Sequence, residues 1–165
     1  MNVHIACHNP NFGTAGQIEP TDVAEIAKQG YKSIINNRPD GEEGPEQPSN
    51  ASIAAVAKEQ GLEYAYLPVV SGAITPEQVV EMAKLLKSMP QPILAFCRSG
   101  TRSTFLYQLA LQNILINNPK ILCLVRPSKL KMYVRPLIFW QIVKQSLAKS
   151  LLLIADRVLI GKPQI

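Results

Sequence analysis

The chain has 165 residues, of which 47% are hydrophobic and 18% charged, with 13 Pro and 9 Gly. This composition excludes collagen-like, low-complexity and wholly disordered chains, and no apolar run reaches the roughly 18 residues that a membrane span requires. The net charge of +5 divides unevenly, because residues 1–112 carry 8 Lys and Arg against 11 Asp and Glu, whereas residues 113–165 carry 9 against one. We therefore predict a folded domain over 1–112 and a basic C-terminal tail over 113–165.

The N-terminus and the cysteines indicate the compartment. The first residues lack the basic stretch and the long apolar stretch of a secretory signal. Cys7, Cys97 and Cys123 are odd in number and widely spaced, which fits reduced thiols better than a disulfide framework. We expect a cytoplasmic protein.

Helix and strand patterns alternate along residues 14–112. The clearest helix start is the capping box Thr75-Pro76-Glu77-Gln78, with Pro at the first helical position. Elsewhere Gly and Pro mark the ends of elements. We predict helices over 20–30, 51–60, 75–88 and 104–112, and strands over 31–36, 64–70 and 93–96.

This alternation predicts the fold class, which is α/β with a parallel sheet flanked by helices. Parallel strands carry their C-terminal ends on one edge of the sheet, where open α/β sheets place their ligands. The loops that follow Asn36 and Phe96 therefore share that edge, and the functional site is expected there.

The loop after Phe96, residues 97–103, has the residue types of an anion site. Backbone N–H groups converge in a turn of small residues, and the start of a helix adds roughly half a positive charge. Arg102 can hold an oxyanion through two parallel hydrogen bonds, and Gly100 lets the backbone approach the anion. The same field favours the thiolate form of Cys97, which is the nucleophile of covalent catalysis. The candidate residues of this loop are Cys97, Arg98, Ser99, Gly100, Thr101, Arg102 and Ser103.

This loop resembles the signature of the cysteine-dependent protein tyrosine and dual-specificity phosphatases. More closely, residues 16–18, 34–42 and 97–103 are similar to the phosphatase-like domain of the bacterial beta-lactamase hydrolase-like proteins, a resemblance that covers about residues 12–112. The resemblance implies a phosphatase-type fold and a phosphatase-like hydrolase. Cys97 would then carry a thiophosphate intermediate, while Arg102 and the backbone of 98–103 bind the transferred group.

Three departures from the phosphatase pattern keep a second activity open. Four residues separate Cys97 from Arg102 where phosphatases have five, Phe96 replaces their usual His, and residues 69–74 contain no carboxylate for a general acid. A loop of this length looks like that of the rhodanese sulfurtransferases, which carry a persulfide on the cysteine. The substrate is then a small anion, either a phosphate ester or a sulfane sulfur donor, and a non-catalytic anion-binding module is the third alternative. No cofactor or metal is predicted.

The loop after the 31–36 strand supplies further candidates, because it shares the sheet edge with Cys97. Asp40 is the candidate general acid and Arg38 a second anion ligand, although Asp40-Gly41 is also a common turn sequence. Glu42 and Glu43 are expected to be solvated charges.

The basic tail does not resemble the family. Residues 137–159 have the pattern of an amphipathic helix, which could cover the sheet or lie on an anionic membrane surface. The abrupt loss of acidic residues also suggests a segment that is not native-like, such as the product of a shifted reading frame. We predict no nucleic-acid partner, because aromatic residues scarcely interleave with the basic ones.

Overall fold

The computed structural model describes residues 3–117, which form an α/β domain around one five-stranded sheet. The strand order is β1-β2-β5-β3-β4. β1 pairs with β2 in antiparallel fashion and all the other pairs are parallel, so the predicted fold class is confirmed. The strands are β1 (Ile5–Asn9), β2 (Phe12–Ala15), β3 (Ser33–Asn36), β4 (Glu63–Tyr66) and β5 (Ile93–Phe96).

Within residues 3–117, four helices flank the sheet, and two of them begin at capping residues that the sequence indicates. The predicted capping box is confirmed, since the Thr75 side chain accepts a hydrogen bond from the Gln78 N–H and the Gln78 side chain accepts one from the Thr75 N–H. Ser49 caps the second helix by accepting from the Ser52 N–H. The helices are α1 (Val23–Lys28), preceded by a 3-10 turn over Pro20–Asp22, then α2 (Asn50–Glu59), α3 (Pro76–Ser88) and α4 (Thr101–Ile116).

Some predicted boundaries are wrong. The predicted strand 64–70 ends at Tyr66, since Pro68 has no N–H to donate to a sheet. The last helix begins at Thr101 rather than at 104, and it continues past 112 to Ile116. The hairpin of β1 and β2 is absent from the prediction, because β1 is mostly exposed and shows no regular alternation of apolar and polar residues.

The sheet register places the C-terminal ends of β2, β3 and β5 side by side. Phe96 at the end of β5 pairs with Ala15 of β2 on one side and with Asn36 of β3 on the other. The residues that follow these strands, Gly16, Asn37 and Cys97, therefore lie side by side. This edge carries the candidate site.

The core lies on both faces of the sheet. Ile93 and Ala95 of β5 belong to the cluster that α3 and α4 cover, whereas Leu94 and Phe96 belong to the cluster that α1 and α2 cover. The larger of these side chains, Ile93, Leu94 and Phe96, are buried and contribute about 1.5–3 kcal/mol each. The central position of β5 explains why its sequence is continuously apolar. Within residues 3–117, no helix is long and apolar enough to cross a membrane.

Candidate functional site

The cysteine loop, residues 97–103, is held tightly against the end of β2. Cys97 is fully buried at the end of β5, and Gly100 has a φ of 85°. A Cβ on Gly100 would meet the Ala15 carbonyl oxygen at 3.1 Å, so glycine is required both by the backbone conformation and by the close approach. The Gln17 N–H also donates to the Arg98 carbonyl at 3.2 Å. These contacts fix the backbone of the loop.

The N-terminus of α4 lies in this loop and has no side-chain cap. Gly100 is its N-cap residue, and no side-chain oxygen of the described chain accepts from its first turn, in contrast to α2 and α3. The first N–H groups of a helix have no intrahelical partner, and the helix dipole favours negative charge there. Ser99 and Thr101 are exposed at this point, with their hydroxyl oxygens 3.2 Å apart. The backbone is thus arranged as the sequence predicts for an anion site.

Arg102 is half-buried beside the loop, and its Nε donor has no partner among the described residues. The side chain is 9% exposed. Nη1 donates to the Val69 carbonyl at 2.7 Å and, more weakly, to the Asn37 carbonyl at 3.5 Å, while Nη2 donates to Glu42 Oε1 at 2.7 Å. Among residues 3–117, Nε has no hydrogen-bond partner and is buried. A buried donor without a partner costs roughly 1–3 kcal/mol, so the arrangement favours an oxyanion at Nε.

Two more buried polar atoms without partners lie close to the same sheet edge. In the part of the chain that the structure describes, Asn37 Oδ1 and Ser103 Oγ join Arg102 Nε as the buried side-chain atoms that lack a hydrogen bond. Asn37 follows β3 and donates its backbone N–H to the Phe96 carbonyl at 2.8 Å. Ser103 is fully buried in the first turn of α4. The unsatisfied side-chain atoms of the described residues thus belong to the sheet edge and helix start that follow β3 and β5, and such atoms are frequent at functional sites.

Arg38 is also buried, and each nitrogen of its guanidinium has a partner. Nε donates to Glu42 Oε2 at 3.0 Å, Nη1 to Gln17 Oε1 at 2.7 Å and Nη2 to Glu43 Oε2 at 2.5 Å. Only 2% of Arg38 is exposed. The residue predicted as an anion ligand thus binds three side chains of its own protein in this structure.

Two glutamates connect Arg38, Arg98 and Arg102. Glu42 and Glu43 are exposed, as predicted for solvated charges, but each carboxylate also pairs with two arginines, which the sequence did not predict. Glu42 bridges Arg38 and Arg102, with 23% of its side chain exposed. Glu43 bridges Arg38 and Arg98, whose Nε lies 2.6 Å from Glu43 Oε1. Sequence patterns missed the pairs with Arg98 and Arg102 because these partners lie up to 60 residues from the glutamates. We call Arg38, Arg98, Arg102, Glu42 and Glu43 the arginine–glutamate cluster.

Ion pairs within this cluster shift the pKa values of Glu42, Glu43 and Arg38. Burial by itself raises the pKa of Glu42, but hydrogen bonds from Arg102 and Arg38 outweigh it and hold that pKa below its ordinary value. The hydrogen bond from Arg38 likewise lowers the pKa of Glu43. Burial opposes the charge on Arg38, yet its pKa is raised by Glu43 and Glu42. These three groups are therefore charged at neutral pH.

Asp40 is exposed and caps a helix. Its Oδ1 accepts the backbone N–H of Asn50, the first residue of α2, at 2.6 Å. Its own N–H donates to Tyr66 Oη at 3.0 Å. Within residues 3–117, no hydrogen bond or ion pair joins Asp40 to Cys97 or Arg102. The prediction that Asp40 donates a proton at the site stays a prediction.

Comparison with known proteins points to one family. The family model described as beta-lactamase hydrolase-like protein, phosphatase-like domain, matches residues 5–114. A beta-lactamase hydrolase-like protein of Xylella fastidiosa is 37% identical over 102 residues, which cover 62% of this chain and 23% of the relative. A protein of the same name from Agrobacterium fabrum is 38% identical over 101 residues, which cover 61% and 23%. The matched region is thus about a quarter of the length of these curated relatives.

A solved structure supports the same assignment of the fold. A phosphatase candidate from Neisseria meningitidis superposes with a TM-score of 0.60 at 29% sequence identity. The superposition covers 70% of this chain and 80% of the other chain.

Proposed function

Because the chain belongs to the family of phosphatase-like domains of beta-lactamase hydrolase-like proteins, we propose that it hydrolyses phosphate esters through a thiophosphate intermediate on Cys97. The family resemblance predicted from the sequence is confirmed by the match over residues 5–114. The family and its structural relative also support the predicted phosphatase-like hydrolase. The observation that carries the assignment to the Cys97 site is the free, buried Nε of Arg102 beside an uncapped helix N-terminus.

The proposed reaction has two steps. First the Cys97 thiolate attacks phosphorus, so that an S–P bond forms as the ester P–O bond breaks and the alcohol leaves with a proton from the general acid. Then water returns a proton to that residue and attacks the thiophosphate, so that a new P–O bond forms, the S–P bond breaks, the thiolate is restored and inorganic phosphate leaves. Arg102 and the backbone N–H groups of residues 98–103 hold the non-bridging oxygens in both steps, because their dipoles stabilise the charge of the transition state. This scheme takes a small anionic substrate and needs no cofactor.

The identity of the general acid limits the range of substrates. Asp40 is the acid we predict, yet its carboxylate accepts the Asn50 N–H and would have to leave the α2 N-terminus to protonate an alkoxide. General acids contribute about 10²–10⁴-fold to such reactions. Aryl esters leave as weakly basic phenolates and need the acid least, so we expect aryl phosphates to be better substrates than alkyl phosphates. Asp40→Asn should slow the alkyl esters more than the aryl esters.

The length of the loop favours one alternative. Only four residues separate Cys97 from Arg102, as in rhodanese-like sulfurtransferases, and residues 69–74 bring no carboxylate to the site. In that reaction the Cys97 thiolate takes a sulfane sulfur from thiosulfate, releases sulfite, and passes the sulfur to cyanide as thiocyanate. No proton donor is needed. An anion-binding module without catalysis is the remaining alternative.

Parallel assays of the full chain separate these activities. The protein and a Cys97→Ser variant are offered an aryl phosphate and, separately, thiosulfate with cyanide. Phosphate release that depends on Cys97 supports the phosphatase proposal. Thiocyanate formation without phosphate release supports the sulfurtransferase, and no turnover that depends on Cys97 leaves the binding module.

The predictions for the tail and for the compartment stay proposals. The predicted helix 137–159, its contact with the sheet or with an anionic membrane surface, and the hypothesis of a shifted reading frame all lie outside the described residues. Cytoplasmic localisation and the absence of a nucleic-acid partner are likewise predictions.

A further inference from the structure

We propose that Glu42 is a positioning residue for the anion site, because its carboxylate joins the buried Arg38 to Arg102 and leaves the anion-binding donors of Arg102 free. The proposal rests on the function proposed for the Cys97 loop. Glu42 does not touch the transferred group in this scheme. It acts through the guanidinium of Arg102.

The hydrogen bonds of Arg102 support a positioning role for Glu42. A guanidinium has five N–H donors, arranged in a rigid plane. The Val69 and Asn37 carbonyls accept from Nη1, and Glu42 accepts from Nη2. The Nε–H has no partner among the described residues, and Nη2 carries a second N–H beside the one that Glu42 binds. Nε and Nη2 border one edge of the plane, and such an edge can bind two oxygens of a phosphate or sulfate group.

Glu42 is itself held by a buried arginine. Its second oxygen, Oε2, accepts from Arg38 Nε at 3.0 Å, so one carboxylate spans both guanidinium groups. Arg38 is held in turn, because Gln17 and Glu43 bind its other two nitrogens. The Gln17 backbone N–H also donates to the Arg98 carbonyl in the cysteine loop. The orientation of Arg102 is thus coupled to the backbone that binds the anion.

This arrangement gives Arg38 a role that differs from the predicted one, since Arg38 supports Glu42 rather than the substrate. The opposite interpretation is that Glu42 competes with the substrate anion for Arg102. The two interpretations predict changes of opposite sign when Glu42 is removed, because a competitor lowers anion affinity and a positioning residue raises it.

The experiment compares three variants of the full chain. Glu42→Ala removes the bridge, and Glu42→Gln keeps the side-chain volume but offers a single uncharged acceptor oxygen. Glu59→Gln, an exposed glutamate at the end of α2, is the matched control. Two quantities are measured: the Kd for inorganic phosphate by calorimetry, and kcat and KM with an aryl phosphate. Circular dichroism and thermal unfolding confirm that each variant is folded.

We expect both Glu42 variants to bind phosphate more weakly and to lose about 10- to 100-fold in kcat/KM, the range expected when a reacting group is misplaced by a fraction of an ångström to an ångström. A positioning residue acts on the transition state, so much of the loss should be in kcat rather than in KM alone. Glu59→Gln should match the wild type. If Glu42→Ala folds poorly, the test is the comparison of Glu42→Gln with the wild type.

Two results would overturn the proposal. Tighter phosphate binding by the Glu42 variants would make Glu42 a competitor, and unchanged binding with unchanged kcat/KM would give it no role at the site. Failure of the phosphatase proposal is distinguishable from both, because it would appear as absent turnover in the wild type while the Kd for phosphate still reports the effect of Glu42.

Discussion

At the scale of single residues, the cysteine loop depends on one glycine and on one bridging carboxylate. Gly100 has a positive φ and lies against the Ala15 carbonyl, whereas Gly44 has a similar φ of 88° and nothing lies within 4 Å of the point that its Cβ would occupy. Alanine substitutions at the two glycines therefore separate the stability lost through the left-handed backbone conformation from the stability lost through the contact with Ala15.

We predict that Gly44→Ala costs about 1–2 kcal/mol, the ordinary penalty of a left-handed residue, and that Gly100→Ala costs about 1–3 kcal/mol more through its contact with Ala15. Urea unfolding of the two variants measures the difference. Equal losses would mean that the loop backbone moves away from β2 without resistance.

Glu42 gives a prediction for pH dependence. Its pKa is lower in the folded protein than the ordinary value of 4.5, so its ion pairs stabilise the fold above that pH. This stabilisation is lost as the pH falls through the folded-state pKa. The free energy of unfolding of the wild type should therefore exceed that of Glu42→Gln by more at pH 6 than at pH 3. Denaturant titrations at both pH values measure this, and a difference that does not change with pH would show that the carboxylate charge contributes nothing.

At the scale of elements, the sequence predicted best where a capping box starts a helix or a continuous apolar run marks a buried strand. Thr75 and Gln78 form the predicted capping box, and the run 93–96 is the buried central strand. The position of Cys97 and Arg102 at the sheet edge follows from the same reasoning. The bridges from Glu42 to Arg102 and from Glu43 to Arg98 could not be predicted, because they depend on how loops up to 60 residues apart in the sequence meet in space.

The start of α3 is also linked to the site. Gln78 Nε2 donates to the Pro68 carbonyl at 2.9 Å, next to Val69, whose carbonyl holds Arg102. We predict that Thr75→Ala lowers stability by about 1 kcal/mol and that Thr75→Ser restores most of it, since Ser is an equally good cap. Thermal and denaturant unfolding of both variants check the prediction. A Thr75→Ser variant as unstable as Thr75→Ala would contradict the capping role.

At the scale of the whole molecule, the net charge of +5 averages two different segments. The described domain carries the site. There the positive charges of Arg38, Arg98 and Arg102 pair with Glu42 and Glu43. The excess of basic residues lies beyond residue 117. An acidic partner inferred from the whole-chain charge would therefore be a partner of the tail.

We predict that a chain ended after Asn117, which keeps α4 complete, stays folded and retains Cys97-dependent activity. Its net charge would change from +5 to −3. Circular dichroism and the aryl phosphate assay compare it with the full chain. Loss of the fold would show that the tail is part of the core, as the proposed docking helix requires.

The most direct test of the central claim is to trap the intermediate. The full chain is mixed with an aryl phosphate, quenched in acid within milliseconds to seconds, and analysed by intact and peptide mass spectrometry. We predict a phosphoryl group on Cys97, formed by the wild type and absent from Cys97→Ser. Phosphate release that persists in Cys97→Ser, or a wild type that releases phosphate while Cys97 is never phosphorylated, would contradict the thiophosphate mechanism.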